Sequence, residues 1–457
     1  MTDALGDDLR RLLGDGAVEA PVVDQAWLHD GTESAAVLGA AAAVAWPSDA
    51  AQVAAIIAYA NQQGIPVIPR GGGTGYAAGA VPFDGSIVLS LDRLRAVRSR
   101  QPEIWSLAVE AGVTTAEVRR FAREDGLYYP PDPGAGEQSQ IGGNVATNAG
   151  GPHCFKYGVT GRWVTAIEAV LGSGEVVRVG SGLPKDVATL DLRSLLVGSE
   201  GTLGVITAVW LRLIPEPAVR LPVLAVFGSA QDGADAVGLA MASGVAPSAL
   251  EFLDRGAIEA ARASYPGDLP VGAEFAVLAE ADGTPAGAAA EQALIADMLR
   301  PTATDLIVPD AADAARIWAW RDGVSLGVLA RHGGKLSEDI VVPVDRLAEA
   351  VLGVRALGDE VGLETTTWGH AGDGNLHASF MFDRSDAEQL ARATAAAPRL
   401  FALARSLGGS ISGEHGIGRF KLEAAAELPA DILRVQSSIK DVLDPRGIMN
   451  PGAKLPR

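Results

Sequence analysis

The chain has 457 residues, 48% hydrophobic and 20% charged, which suits a soluble globular protein of two or three domains with a sizeable interior and excludes global disorder. Lys and Arg number 37 against 56 Asp and Glu, a formal charge of −19 that repels nucleic acid and anionic membrane surfaces, so an anionic substrate needs a local cationic pocket. Cys154 is the single cysteine, which excludes an intramolecular disulfide, a zinc ribbon and an iron–sulfur cluster on four thiolates; any one-electron relay must lie on another protein.

Met1 to Leu13 carries acidic residues and lacks a basic stretch followed by an apolar one, so no signal peptide is expected and the default location is cytoplasmic. The longest apolar run, residues 35–46, is mostly Ala and too short to cross a bilayer. Residues 1–37 are expected to form a helical N-terminal segment. Ser48 and Asp49 offer caps to a helix whose apolar residues Val53, Ile56, Ile57 and Ala60 follow the i, i+3, i+4, i+7 spacing, and Gly64 ends it. A short strand over 65–69 leads into Arg70-Gly71-Gly72-Gly73-Thr74-Gly75. Further strands are predicted at 87–91, 106–110, 164–171 paired with 175–179 through Gly172-Ser173-Gly174, and 204–213. Helices and strands mix without a regular βαβ repeat, so the expected fold class is α+β. Ile214-Pro215-Glu216-Pro217 punctuates the chain and places a boundary near 215. Beyond it, helices over 286–299 and 387–407 alternate with strands near 273–279, 338–342 and 375–382.

Glycine-rich loops let backbone N–H groups approach a pyrophosphate closely, because no Cβ interferes and positive φ costs little. Residues 70–79 form one such loop, and they match neither the dinucleotide-binding G-x-G-x-x-G nor the P-loop pattern. Alone, that loop would read as a turn. Two more clusters follow: Pro130-Pro131-Asp132-Pro133 with Ile141-Gly142-Gly143-Asn144 and the run to Gly158, and then Gly198-Ser199-Glu200-Gly201-Thr202-Leu203-Gly204-Val205-Ile206-Thr207.

In order and spacing these segments resemble the FAD-linked oxidase family, with its vanillyl-alcohol-oxidase or p-cresol-methylhydroxylase (PCMH) type of flavin domain, over residues 36–455. Within it the chain is most similar to the branch of glycolate oxidase flavin subunits, D-lactate dehydrogenases and D-2-hydroxyglutarate dehydrogenases. The resemblance implies a PCMH-type FAD-binding domain over 38–215, an α+β cap domain with the substrate site over 216–415, and a segment over 416–457 that returns to the flavin domain. It implies that the backbone of Arg70, Gly71, Gly72, Gly73, Thr74, Gly75 and Gly79 embraces the FAD pyrophosphate. Asp132, Ser139, Gly142, Gly143, Asn144, Asn148, Gly151, Glu200, Gly204, Ile206 and Asn450 would line the rest of the cofactor. Gln140 departs from the Thr usual before Ile-Gly-Gly, and residues 134–138 are looser than the family's serine-containing loop. His153 and Cys154 are residue types that alkylate flavins in the wider superfamily, yet His-Cys before Phe-Lys-Tyr-Gly also occurs in noncovalent members, so the flavin is expected to be noncovalent.

Three of the six histidines, His370, His377 and His415, fall within 46 residues. In Trp368-Gly369-His370-Ala371-Gly372-Asp373-Gly374-Asn375-Leu376-His377-Ala378-Ser379-Phe380 the glycines argue for a turn entering a strand. Asn375, His377 and Ser379 then share one face and Leu376, Ala378 and Phe380 the other. With Glu414-His415 in a second glycine-flanked element, two imidazoles and a carboxylate match a catalytic metal set that leaves positions open. The family's hydroxy-acid branch has His-x-x-x-x-x-x-His and a later Glu-His at these places. That implies His370, His377 and Glu414 as ligands and His415 as base, with Zn expected and Mn, Fe or Co accommodated. Arg321 and Lys335 are candidates for gripping the substrate carboxylate, Arg321 with a bidentate fork. Ser325 and Ser379 are further candidate substrate contacts. Asp322 stands where the family has Glu, a mild departure that leaves Arg321 intact.

The expected reaction is oxidation of a small D-2-hydroxy acid to the 2-keto acid, with electrons passing to a separate quinone or electron-transfer protein. A homodimer is compatible with the sequence. Two alternatives share the flavin domain: a flavin subunit working inside a glycolate oxidase complex, and a non-redox group-transfer enzyme of the alkyl-dihydroxyacetone-phosphate synthase type.

Overall fold

The computed structural model describes residues 2–32, 37–310 and 313–456; positions 35 and 36 of the apolar run lie outside them. The segment before residue 38 has, among its described residues, an α-helix over Thr2–Leu13 followed by 3-10 turns at Asp15–Ala17 and Gln25–Trp27. Its later part contributes β1 (Val18–Glu19), antiparallel to β2 (Ala43–Ala45), because Ala17 and the fully buried Ala43–Ala45 need a common core. Parallel β3 (Val67–Arg70) and β4 (Ile87–Ser90) complete a four-stranded sheet of order β1-β2-β4-β3. Helix Ala50–Gln63 feeds β3. Asp49 caps it by accepting from Gln52 N at 2.8 Å, and Gly64 closes it at φ +69°. Its buried stripe is Val53, Ile56, Ile57 and Ala60, the four positions picked out by their spacing.

A second sheet is antiparallel throughout, from β5 (Val97–Gln101), β6 (Ser106–Glu110), β7 (Val164–Leu171), β8 (Val176–Val179) and β9 (Gly204–Arg212) in the order β5-β6-β9-β7-β8. Both sheets share one hydrophobic core, to which the distant Ile448 and Met449 also belong. Val67 N donates to Ile448 O and Asn450 N to Val67 O, each at 2.8 Å, so the C-terminal segment returns to this half of the molecule. Within 416–457, Ile417 N and Gly418 N donate to Glu200 and Arg419 N to Ala77 O, while the side chains of Ile417, Ala424 and Ala425 pack with the core of the other half.

The third sheet has seven strands, β10 (Val219–Phe227), β11 (Ala249–Asp254), β12 (Phe275–Gly283), β13 (Asp305–Ile307), β14 (Gly334–Val341), β15 (Thr365–His370) and β16 (Asn375–Phe382), all antiparallel in the order β13-β10-β12-β11-β15-β16-β14. β15 and β16 form a hairpin around the glycine-containing turn; the β-branched run Thr365-Thr366-Thr367 makes β15 a strand that the histidine spacing alone does not indicate. Leu376, Ala378 and Phe380 point into apolar cores beneath helices Leu347–Val361 and Ala387–Ser406. The period of two then turns His377 and Ser379 to the opposite face, where register sets His370 across from Glu251 and Asp339 across from His377.

Candidate functional site

One cavity of about 1110 Å³ runs between the two halves, lined at one end by the glycine loops and at the other by the polar face of the third sheet. Gly71–Gly75, Gly79, Asp132, Ser139, Gly142, Gly143, Asn144, Gly151, Glu200, Gly204 and Ile206 all line it. Gly75 and Gly143 meet nothing within 4 Å where a Cβ would stand, so the space beside these backbones is room for a bound group. At Gly72 a Cβ would collide with Gln138 O, so only glycine lets the first two loops meet there. These features fit a dinucleotide cofactor.

Three of the residues expected at the cofactor, Arg70, Asn148 and Asn450, stand behind the cavity wall and brace it. The Arg70 guanidinium turns away from the cavity, donating to His29 O at 2.7 Å and Ala26 O at 3.3 Å and lying over Trp27, because a buried guanidinium takes the carbonyls within reach. Asn148 ends helix Ile141–Thr147 at φ +54°, and its side chain accepts from Gly161 N at 2.8 Å. Asn450 ties Gly79 O (2.9 Å) to Glu200 O (2.8 Å), joining the first glycine loop to the third. Glu200 itself accepts from Ile417 N at 2.9 Å and Gly418 N at 2.7 Å, which clamps the C-terminal loop over the cavity.

At the far end, His370 and His377 meet Glu414, with Nε2 to Oε1 separations of 3.5 and 3.4 Å, and one ligand atom from each lies within 4.8 Å of the others. His370 Nε2 is buried with no hydrogen-bond partner, while Nδ1 is taken by Glu251 Oε1 at 2.7 Å. A ring nitrogen orphaned in this way, facing a second imidazole and a carboxylate, fits a divalent metal whose ligand is oriented from behind. Burial opposes charge on His370, but Glu251 and Glu414 outweigh it and hold the imidazole well above its ordinary pKa. Burial pulls His377 down to about 3. Burial would raise Glu414, yet the surrounding imidazoles lower it to about 2. The set thus offers one ionised carboxylate, one neutral imidazole and one imidazole whose proton a cation would displace. Gly150 is needed beside it, since a Cβ there would fall on Glu414 Oε2.

His415 stacks on His377 at 5.1 Å and touches Tyr76 at 4.8 Å. Its loop is gripped by Asp339, a residue the sequence reading missed. Asp339 Oδ2 accepts from Gly413 N and Glu414 N at 2.7 Å and His415 N at 3.2 Å, while Oδ1 accepts from Lys421 Nζ at 2.6 Å and lies 3.6 Å from His415 Nδ1. Burial disfavours that charge, but Lys421, His415 and these backbone donors hold Asp339 well below the usual carboxylate range. Two acidic residues, Glu338 and Asp339, at the head of the apolar run 340–342 were the signal. The same signal marked Glu251, within Ala249–Asp254.

Arg321 lines the cavity with its Nε and Nη2 bound to Glu251 Oε2 at 2.8 and 2.5 Å, and Lys335 donates to Ser325 Oγ at 2.7 Å above the Trp368 ring. Ser379 does not line the cavity, because its hydroxyl is paired with that of Ser337, its register partner, at 2.9 Å, and Ser337 holds the lining position. His153 is pinned by both nitrogens, Nδ1 to Asp132 at 2.5 Å and Nε2 to Glu280 at 2.9 Å, and stacks on Trp318. Burial opposes its charge, but the two carboxylates raise it to about 10. Burial pushes the neighbouring Cys154 thiol up, away from nucleophilic reactivity.

Two family models cover this architecture: the FAD binding domain over residues 41–180, and FAD linked oxidases, C-terminal domain, over 216–453. Glycolate oxidase subunit GlcD of Escherichia coli is 35% identical over 421 residues, spanning 90% of this chain and 83% of its own. D-lactate dehydrogenase of Anaerostipes hadrus is 34% identical, covering 88% and 86%, and D-2-hydroxyglutarate dehydrogenase of Xanthomonas citri pv. viticola 35%, covering 90% and 88%. Among solved structures, p-cresol methylhydroxylase superposes with a TM-score of 0.82 at 19% identity over 99% of this chain and 96% of its own. An alkyldihydroxyacetonephosphate synthase gives 0.75 at 16%, over 98% and 84%. The glycine-lined cavity, the PCMH-type α+β fold and these matches lead to one conclusion: the chain belongs to the FAD-linked oxidase family.

Proposed function

We propose that this chain oxidises a small D-2-hydroxy acid to the 2-keto acid, with noncovalent FAD and a divalent metal, zinc by preference, on His370, His377 and Glu414. The observation that carries the reading is the buried ligand set with its orphaned His370 Nε2, opening into the same cavity as the glycine loops. When bound, FAD accepts the hydride and the metal lowers the pKa of an oxygen ligand. His415, beside the set and backed by Asp339, takes the hydroxyl proton. Arg321 and Lys335 orient the carboxylate, and both are buried enough for the contact to be worth more than at a surface. The engagement of both His153 nitrogens and the burial of Cys154 support a noncovalent flavin. The acids acted on by the named relatives define the substrate series to be tried.

Anaerobic mixing of the FAD-loaded protein with D-lactate, glycolate and D-2-hydroxyglutarate, each with and without chelator, tests this reading. At least one acid should bleach the flavin, and chelator should slow that step. Absence of bleaching with every acid would refute the redox reading and favour group transfer. His415→Asn should retain flavin and bleach about 10²- to 10⁴-fold more slowly; an unchanged rate would remove His415 from the role of base.

A second reading, a flavin subunit of a larger assembly, draws on the exposed Leu183 (55%), Val187 (90%) and Leu190 (83%) within a single loop and on the word subunit in one relative's name. Turnover of the isolated chain with an artificial acceptor separates a self-sufficient dehydrogenase that passes electrons to a quinone or electron-transfer protein from a chain that is active only in a complex.

A further inference from the structure

Glu251 lies in the middle of β11, fully buried, directly across the ladder from His370. Its two oxygens serve two different groups. Oε1 accepts from His370 Nδ1 at 2.7 Å, and Oε2 accepts from Arg321 Nε at 2.8 Å and Nη2 at 2.5 Å. Binding at Nδ1 orients His370 and leaves Nε2 directed at the ligand set, where Glu414 Oε1 stands 3.5 Å away. Binding along the Nε–Nη2 edge locks the planar guanidinium of Arg321, a cavity-lining residue whose Nη1 lies 3.6 Å from Asp322 Oδ1; a guanidinium held in this way is preorganised to take a carboxylate. Arg321 sits on helix Ala314–Asp322, one turn after Trp318, whose indole donates to Glu280 at 2.6 Å and so ties this helix to β12.

We propose that Glu251 is a positioning residue that sets metal affinity and substrate-carboxylate affinity together, a role neither the ligand set nor the carboxylate clamp explains by itself. This inference rests on the metal-assisted reading given above. A carboxylate that merely neutralised a buried arginine would stabilise the sheet without moving either affinity in the folded protein.

The test compares the full-length FAD-loaded wild type with Glu251→Gln and Glu251→Asp. Zinc retention is read by elemental analysis against graded EDTA, and oxalate affinity from the flavin absorbance at saturating zinc; flavin content and melting temperature report folding. Glu251→Gln should weaken zinc binding about 10- to 100-fold and oxalate binding about tenfold at saturating zinc. Glu251→Asp, which keeps the charge with a shorter reach, should recover part of both. The proposal is overturned if folded, flavin-bound Glu251→Gln keeps either affinity at the wild-type value. Should that variant lose its flavin, Glu251→Asp decides by the same criterion. A wild type that retains no divalent metal overturns the metal reading itself, and this proposal with it, before any variant is compared.

Discussion

His153 is the clearest case of a single side chain whose ionisation is tied to the contact between the two halves of the molecule, since Asp132 and Glu280 come from opposite sides of the cavity. Its folded pKa of about 10 lies above the ordinary 6.5, so the protonated imidazole stabilises the fold fully below pH 6.5. That stabilisation declines as pH rises and is gone once pH passes about 10. Calorimetry from pH 6 to 10.5 should therefore show the melting temperature of the wild type falling more steeply than that of His153→Asn. Parallel curves would remove the imidazolium from the balance. Acid precipitation provides a second reading of the same residue: yellow supernatant and colourless pellet are expected for a flavin that His153 does not bond.

At the scale of elements, the loop 412–415 has little structure of its own and takes its shape from Asp339 on β14. Asp339→Ala would leave three backbone N–H groups without their acceptor and Lys421 without its nearest carboxylate, a loss expected to cost about 3–5 kcal/mol and to release the proposed metal by freeing Glu414. Urea unfolding and chelator competition on the same sample measure both; a variant that unfolds early yet keeps wild-type metal affinity would confine Asp339 to stability. The contrast with what the sequence made legible is physical. Glycine loops and the His370–His377 spacing are local patterns, and the helix at 50–63 announces itself by its period. Glu251 and Asp339 are two among 56 acidic residues, and what singles them out is register between strands far apart in sequence. Ser379 faces the anticipated side of its strand, but its hydroxyl is engaged by Ser337, a pairing that emerges only when β14 and β16 align. Arg70 and Asn148 stand beside the glycine loops, and their side chains answer to the nearest backbone groups.

For the whole molecule, the cavity is a joint product of segments from every part of the chain: glycine loops from the first half, the polar sheet face from the second, and Asn450 from near the C-terminus. Among the described residues no helix is long and apolar enough to cross a membrane. Asn450→Ala should weaken FAD retention several-fold, read by flavin release under dilution, with zinc affinity unchanged because the metal set lies at the other end. Equal loss of both would mean that the two ends do not hold independently.

The seating of Met449 beside Val67 also carries a consequence for biosynthesis. The strand leading into the first glycine loop finds its ladder partner soon after in Ile87–Ser90, yet its contact on the other side, Met449, emerges from the ribosome far later. Until then the nascent protein presents a half-walled cradle with buried apolar edges still open to solvent. Tight cofactor loading is therefore expected to follow the docking of Met449. In cells short of riboflavin, the apoprotein waiting for its flavin should be the species that proteases and chaperones find first.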